Sequence, residues 1–281
     1  LIHVHVPMKA GRVARWIKNK WNVPYIISEQ ASTYEEAAPD FFGKRSLYYQ
    51  SSVKKIFENA DAATNVSKKM GERIKKLLKI KKEILTVPNV ADESLFRYVL
   101  YRPQPFCFIH VSAMNDQKNI KGILSVFKKL CAIRIDWKLK LVGPYNQALK
   151  AFVSLQGLDR SVQFTGEVSY NEVAKHMQLS SALVMFSRHE NFPCVVVEAL
   201  CCGLPVVASE AGGISEAVNK SNGLLVPAED ENALLLALQK MMDNYNSYNR
   251  EKISKDAHDH FSMKVAGEKF CSLYDQIIAG S

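Results

Sequence analysis

The chain has 281 residues, 47% hydrophobic and 23% charged, with a net charge of +9. That length and composition suit a globular chain of two domains, and no run approaches the roughly 18 consecutive apolar residues of a membrane-spanning helix. The longest apolar region, 194–208, is broken by Glu198, Gly203 and Pro205. The six cysteines form no CxxC pair, so neither a metal site nor a disulfide framework is indicated, and a reducing cytoplasm is the expectation.

LIHVHVP opens the chain as a strand from its first residue. With no initiator Met and no charged-then-apolar leader, it reads as a piece of a longer polypeptide. YIISE (25–29), ADAATNVS (60–67) and EILTVPN (83–89) are strand-like, with helical patterns before them. Basic clusters occur at Lys54-Lys55, at Lys68-Lys69 and in KKLLKIKK from Lys75 to Lys82. The last reads as the solvated face of an amphipathic helix. Attraction to an anionic membrane is the alternative, while no recognition motif for nucleic acid accompanies the charge.

After YRPQP (101–105) the alternation restarts. Strands are expected at 106–112, 139–143, 161–166 and 182–187, with helices at 119–133, 146–157 and 171–180 between them. A helix around 193–202, a strand at 205–209, a short helix in GISEAVN and a strand at 223–227 follow. The stretch 260–278 again carries apolar residues at helical spacing. Strands apolar on both faces and alternating with helices indicate a parallel sheet covered on both sides. Residues 106–227 therefore form a doubly wound unit, 1–100 belong to a second such unit, and YRPQP links them.

Ligands of open parallel sheets sit beyond the carboxyl ends of the strands. This nominates the loops SAMNDQKN, GPYNQ, GEVSYN and RHENFPC. In the last, Pro193 suits a first helical turn, and the amides of Cys194 to Val196 would offer donors to phosphate. Glu190 and Glu198 flank those donors. Carboxylates repel phosphate but accept hydrogen bonds from hydroxyls, so the loop suits a ligand with both a diphosphate and sugar hydroxyls, such as a nucleotide sugar. The competing reading is a surface Glu190 and a Glu198 that reaches solvent.

HENFPCVVVEALCCGLPVVASEAGGISEAV closely resembles the signature of retaining glycosyltransferases of family 4, which have the GT-B fold. The shared features are two glutamates separated by seven residues (Glu190, Glu198), Gly203, PVVA at 205–208, Gly212-Gly213 and Glu216. NGLLVPAEDENAL, VPNVADESLF (87–96) and QKNIKG (117–122) extend the likeness. The resemblance implies an α/β architecture of two Rossmann-like doubly wound domains facing a cleft. Residues 1–102 would be an incomplete N-terminal, acceptor-side domain completed by a last helix at 260–281, and 103–259 the nucleotide-sugar-binding domain.

It also implies roles. Glu198 accepts hydrogen bonds from the ribose, and Glu190 contacts the donor sugar or positions the phosphate. Asn191, Phe192, Pro193, Cys194 and Val195 form the donor-binding stretch. Lys118 neutralises the diphosphate leaving group, His5 lies near the reacting centre, and Gly166 and Glu167 lie near the base. Ser112 and Gly143 line the donor loops. Cleaving a glycosyl–phosphate bond builds negative charge on the diphosphate, which a placed cation and a helix N-terminus stabilise. No resident cofactor or metal is expected; the donor, UDP- or GDP-linked, is the substrate. The acceptor would be a glycan or a lipid-linked glycan of cell-surface polysaccharide assembly, reached in the cytoplasm by peripheral contact with an anionic membrane and without nucleic acid. Two alternatives stand beside this: a nucleotide-sugar-binding protein or fragment without transfer activity, and a sugar-nucleotide epimerase of related fold.

The likeness has departures. Val111-Ser112-Ala113 stands where many members have Gly-Arg-Leu, removing one phosphate cation for which Arg188 is the nearest substitute. Asn191-Phe192-Pro193 replaces Gly-Phe-Gly, which narrows backbone freedom and removes one donor N–H.

Overall fold

Every strand pair in the computed structural model, which describes residues 1–280, is parallel. The first sheet is built from β1 (Ile2–His5), β2 (Tyr25–Glu29), β3 (Ala62–Asn65) and β4 (Leu85–Thr86), in that order. The helices α1 (Ala10–Trp21), α2 (Leu47–Asn59) and α3 (Lys68–Leu78) alternate with them. All five residues of β2 are buried, as befits an inner strand covered on both faces, whereas β1 is an edge and only Val4 is buried there. Ser46 and Ser67 accept a backbone N–H from the first turns of α2 and α3, which sets where those helices start.

The basic run 75–82 is helical only as far as Leu78. Lys79 takes a left-handed conformation (φ 51°), and Ile80 turns back into the core with its N–H on the Lys75 carbonyl, so Lys79 to Lys82 lie beyond the helix. The expectation of one amphipathic helix over the whole run is corrected accordingly.

The second sheet comprises β5 (Phe106–Val111), β6 (Trp137–Val142), β7 (Val162–Gly166), β8 (Ala182–Met185), β9 (Val206–Ser209) and β10 (Gly223–Val226). Between them run α4 (Ile120–Cys131), α5 (Gln147–Leu155), α6 (Tyr170–Gln178), α7 (Cys194–Cys201) and α8 (Ile214–Ala217), followed by α9 (Glu231–Asp243) and α10 (Arg250–Phe261). The strand order β10-β9-β8-β5-β6-β7 reverses direction between β5 and β8. β5 to β7 step outward one way and β8 to β10 the other, so right-handed crossovers place helices on both faces. The core on one side joins Phe108, Phe127 and Trp137, whose rings meet at 5.3 and 4.8 Å. β8 and β9 are buried at every position.

Contacts divide the chain into two compact units. One is Leu1–Asn89 with Glu190–Phe192 and the segment from Lys264 onward; the other is Val90–His189 with Pro193–Met263. The division falls at 89–90 rather than at 102–103 because the intervening residues pack into the second unit. Ala91 donates to the Phe261 carbonyl, Phe96 is fully buried against Tyr170, and the carbonyls of Leu95 and Arg97 accept from Gln178. Buried Arg250 donates to the carbonyls of Gly203 and Tyr101, at 3.0 and 2.6 Å, and fastens YRPQP to the same body.

The stretch 260–278 is two helices, not one. α10 ends at Phe261, Ser262 is extended, and α11 (Met263–Ala279) follows. α11 belongs to the first unit, where Tyr274 Oη lies 2.8 Å from His3 Nδ1 and the Phe270 ring meets His3 at 5.3 Å. Among the described residues no helix is long and apolar enough to cross a membrane.

Candidate functional site

The reversal between β5 and β8 makes the carboxyl edge of the second sheet the place to look for a ligand. Three of the expected residues meet there through their backbones. Ser112 N–H donates to Val142 and Gly143 N–H to Gly166, at 3.1 and 2.9 Å. Gly143 sits at φ +131°, and a Cβ there would lie 1.9 Å from the Ser112 carbonyl oxygen, so no side chain fits. Gly166, at φ +77°, faces open space, and Glu167 after it is exposed.

Beneath Ser112 is His110, fully buried and outside the residues expected from the sequence. Its Nδ1 lies 2.9 Å from the Val184 carbonyl, which can only accept, so Nδ1 carries the proton. Nε2 is then the acceptor for the Ser112 hydroxyl at 2.7 Å, and that same oxygen takes the Met114 N–H at 2.9 Å. Burial lowers the His110 pKa to about 4, and the nearby Lys118 charge pushes the same way, so the ring is neutral at physiological pH.

Lys118 ends the short turn Asp116–Lys118, whose N-cap Asn115 accepts the Lys118 N–H. Asn119, left-handed at φ 50°, in turn caps α4 by accepting from Gly122. Gln117 fixes this loop to the end of β8, donating to the His189 carbonyl at 2.8 Å and accepting from Arg188 N–H at 2.9 Å. The Arg188 guanidinium, expected as a replacement cation, is engaged by Asp116 at 3.1 Å and Glu229 at 3.0 Å. A cavity of about 540 Å³ opens beside it, between the loops after β5 and β6. A larger cavity, about 1010 Å³, lies by the amino end of β10; Glu216 of the shared signature lines it, but none of the residues given a role does.

α7 begins one residue later than expected. Pro193 is its extended N-cap (φ −72°, ψ 124°), not its first helical residue. The Pro193 carbonyl accepts the Val196 N–H at 3.1 Å, so of the three amides expected at the helix start that of Val196 is engaged within the helix's own first turn. One turn further on, Glu198 is 5% exposed and Tyr170 Oη donates to its carboxylate at 2.9 Å. Burial raises the Glu198 pKa, and the Tyr170 bond pulls it partly back.

Tyr170 was not among the residues expected. Ser169 and Glu172 form a capping box, each side chain accepting the other's backbone N–H, which makes Tyr170 the first residue of α6. The pattern S-x-x-E is visible in the sequence and could have placed this tyrosine at the carboxyl edge of β7. Its ring packs edge-on against Phe96 at 5.0 Å.

His5, Glu190, Asn191 and Phe192 belong to the first unit. His5 is exposed at the end of β1 and stacks on His3 with ring centroids 4.3 Å apart. His3 is held by Tyr274 on one nitrogen and by Ser28 Oγ on the other at 2.7 Å, and Ser28 continues to Thr64 at 2.7 Å. Burial, helped by His5, lowers the His3 pKa to about 4. The Asn191 side chain donates to the Gln30 carbonyl at 2.7 Å, and the Phe192 carbonyl accepts from Asn89 at 2.6 Å. Glu190 is buried, as is Glu198, so neither is the solvent-reaching carboxylate of the competing reading. Among the described residues no group of three or more His, Cys, Asp or Glu side chains could hold a metal ion.

Comparison with known proteins agrees with this architecture. The family model for glycosyl transferases group 1 matches residues 93–260. An uncharacterized glycosyltransferase of Methanocaldococcus jannaschii is 29% identical over 273 residues, which cover 96% of this chain and 72% of that protein. Sucrose-phosphate synthase from Thermosynechococcus elongatus is similar in structure with a TM-score of 0.85 at 22% identity, over 100% of this chain and 74% of the other. HepE of Anabaena, solved in complex with UDP, gives a TM-score of 0.83 at 16% identity over 98% and 79% of the two chains.

Proposed function

Because the chain belongs to the glycosyl transferases group 1 family, and is a glycosyltransferase of the GT-B fold, we propose that it takes a sugar from a nucleoside-diphosphate donor and transfers it with retention of configuration. The observation that carries this reading is Glu198. It is a buried carboxylate with one hydrogen-bond donor among the described residues, standing in the helix that follows the reversal point of the sheet. A carboxylate has room for about four hydrogen bonds, and ribose hydroxyls supply donors of the required kind.

In this reading the diphosphate lies against the start of α7, at Cys194 and Val195, where backbone donors and the helix dipole favour negative charge. Lys118 adds the cation that stabilises charge growing on the leaving group as the glycosyl–phosphate bond breaks. The glycine backbone at 143 and 166 admits the nucleotide, while Glu190 and His5 keep the sugar-side roles implied by the resemblance. UDP is the first nucleotide to test, since a protein of this fold has been solved with it; GDP is the second. The acceptor class remains a glycan or lipid-linked glycan of surface polysaccharide assembly, met at the anionic inner face of a membrane.

Calorimetry and thermal shift with UDP, GDP and ADP test the donor side, because a ligand that binds only the folded chain raises its melting temperature. Binding of one of these nucleotides, weakened in both Glu198→Gln and Lys118→Ala, is expected. Nucleotide binding indifferent to both changes sinks the site. Binding without any sugar transfer or donor hydrolysis, in the full-length chain, would instead leave a nucleotide-sugar-binding protein.

A further inference from the structure

Residues 1–28 contain five Lys and Arg and no Asp or Glu. Most of these cations are on α1, whose two faces differ sharply. Gly11 and Ala14 are buried, and a Cβ on Gly11 would strike Ile56 of α2 at 2.6 Å, so this face is pressed against its neighbour. Arg12 and Val13, with Trp16 and then Lys20 three or four residues further on, share the face opposite. Trp16 and Trp21 are both 54% exposed, and their rings meet edge-on at 4.9 Å. Lys20 Nζ lies over both, at 5.3 and 4.8 Å, and Arg12 lies over the exposed Tyr48 ring at 5.7 Å. Leu47, beside Tyr48 at the start of α2, is 83% exposed.

An outward patch of two tryptophans, a tyrosine and aliphatic side chains is unusual for a surface that stays in water. Trp and Tyr favour the zone between water and lipid, where an apolar ring and a polar N–H or O–H are both satisfied. Cations over and around the rings match anionic head groups. A second copy of the same face would bring like charges together, which disfavours self-association there.

We propose that the α1–α2 face of the first unit docks on an anionic lipid surface, with Trp16 and Trp21 entering the head-group layer and Lys9, Arg12 and Lys20 contacting lipid phosphates. This differs from the basic run at 75–82, in which no aromatic residue accompanies the charge. The proposal rests on the membrane-side reading above for its biological setting but on this surface for its argument.

The test is co-sedimentation with vesicles of equimolar phosphatidylglycerol and phosphatidylcholine, against phosphatidylcholine alone, without nucleotide or acceptor. Binding to the anionic vesicles is expected, with a blue shift of tryptophan emission that Trp16→Ser with Trp21→Ser abolishes. Neutralising Lys9, Arg12 and Lys20 to Gln should weaken partitioning on the order of a hundredfold, since each basic residue near such a surface contributes about fivefold. Lys75→Gln with Lys76→Gln should bind nearly as the parent does. All substituted side chains lie at the surface, and thermal melting checks that the fold is retained. Equal binding to both vesicles, full binding by the triple variant, or loss only in the 75–76 variant would overturn the proposal. So would a dimer that shields Trp16 and leaves vesicles unbound. Since no donor is present, failure here leaves the transfer reading intact, and failed transfer leaves vesicle binding intact.

Discussion

Glu29 and Glu198 are both buried carboxylates at the carboxyl edge of a parallel sheet, and burial raises the pKa of each. Their surroundings differ. Glu29 accepts the N–H groups of Gln30 and Ala31 through one oxygen, both at 2.8 Å, and the Tyr34 hydroxyl through the other at 2.9 Å. Glu198 accepts from Tyr170 alone among the described residues. Glu29 thus ties its own loop together, and Glu198 retains acceptor capacity that a ligand can fill. Burial alone does not distinguish the two carboxylates; the count of donors around each does, and it is the sparse count at Glu198 on which its proposed binding role rests.

The sharpest way to break this comparison is Glu29→Ala. It orphans two backbone donors and a buried tyrosine hydroxyl, each costing about 1–3 kcal/mol, so urea denaturation should show a loss of about 4 kcal/mol. Nucleotide affinity of the folded fraction should be unchanged; lost affinity at full stability would reverse the two roles. Acidification probes a buried group satisfied in only one charge state. His110 has an ordinary pKa near 6.5 when unfolded and about 4 when folded, so its contribution is present above pH 6.5 and is lost as pH falls toward 4. The loss is about 3 kcal/mol from His110, and His3 adds to it in the same window. The raised carboxyls of Glu29 and Glu198 work in the opposite sense, and melting curves from pH 7 to 4 read the net slope.

Glu198→Gln should weaken nucleotide binding by about 2 kcal/mol, the scale of a hydrogen bond to a charged group. Its melting temperature should hold or rise, because a neutral amide is easier to bury. Tyr170→Phe has the smallest expected effect, about 1 kcal/mol of stability. It removes the bond that lowers the Glu198 pKa, so the acid loss of nucleotide affinity should move to higher pH. An unmoved profile would mean that the Glu198 charge is not what the ligand reads.

Much of the architecture was legible because buried parallel strands are apolar at nearly every position, His110 of β5 and Ser209 of β9 being the exceptions. FCFIHV, ALVM and VVAS became β5, β8 and β9 with little ambiguity. Boundaries were less legible. Pro193 suits both an N-cap and a first helical turn, and only its extended ψ decides. KKLLKIKK keeps helical spacing past Leu78, but burial of Ile80 ends the helix there. The division at 89–90 depended on Ala91 and Phe96 packing against residues distant in sequence. Glu198 stood out as a charge among valines, yet its partner Tyr170 is 28 residues away on another helix, a pairing that no local pattern encodes.

Gly143 carries one further consequence. With the Ser112 carbonyl pressed against it and its own N–H on the Gly166 carbonyl, Gly143 ties the ends of β5, β6 and β7 together at a point with no room for a side chain. Anyone wishing to retune what this chain binds would find Gly143 closed to substitution. The adjustable parts are the exposed rim at Glu167 and the tyrosine that opens α6, where side chains can change size without moving the backbone beneath them.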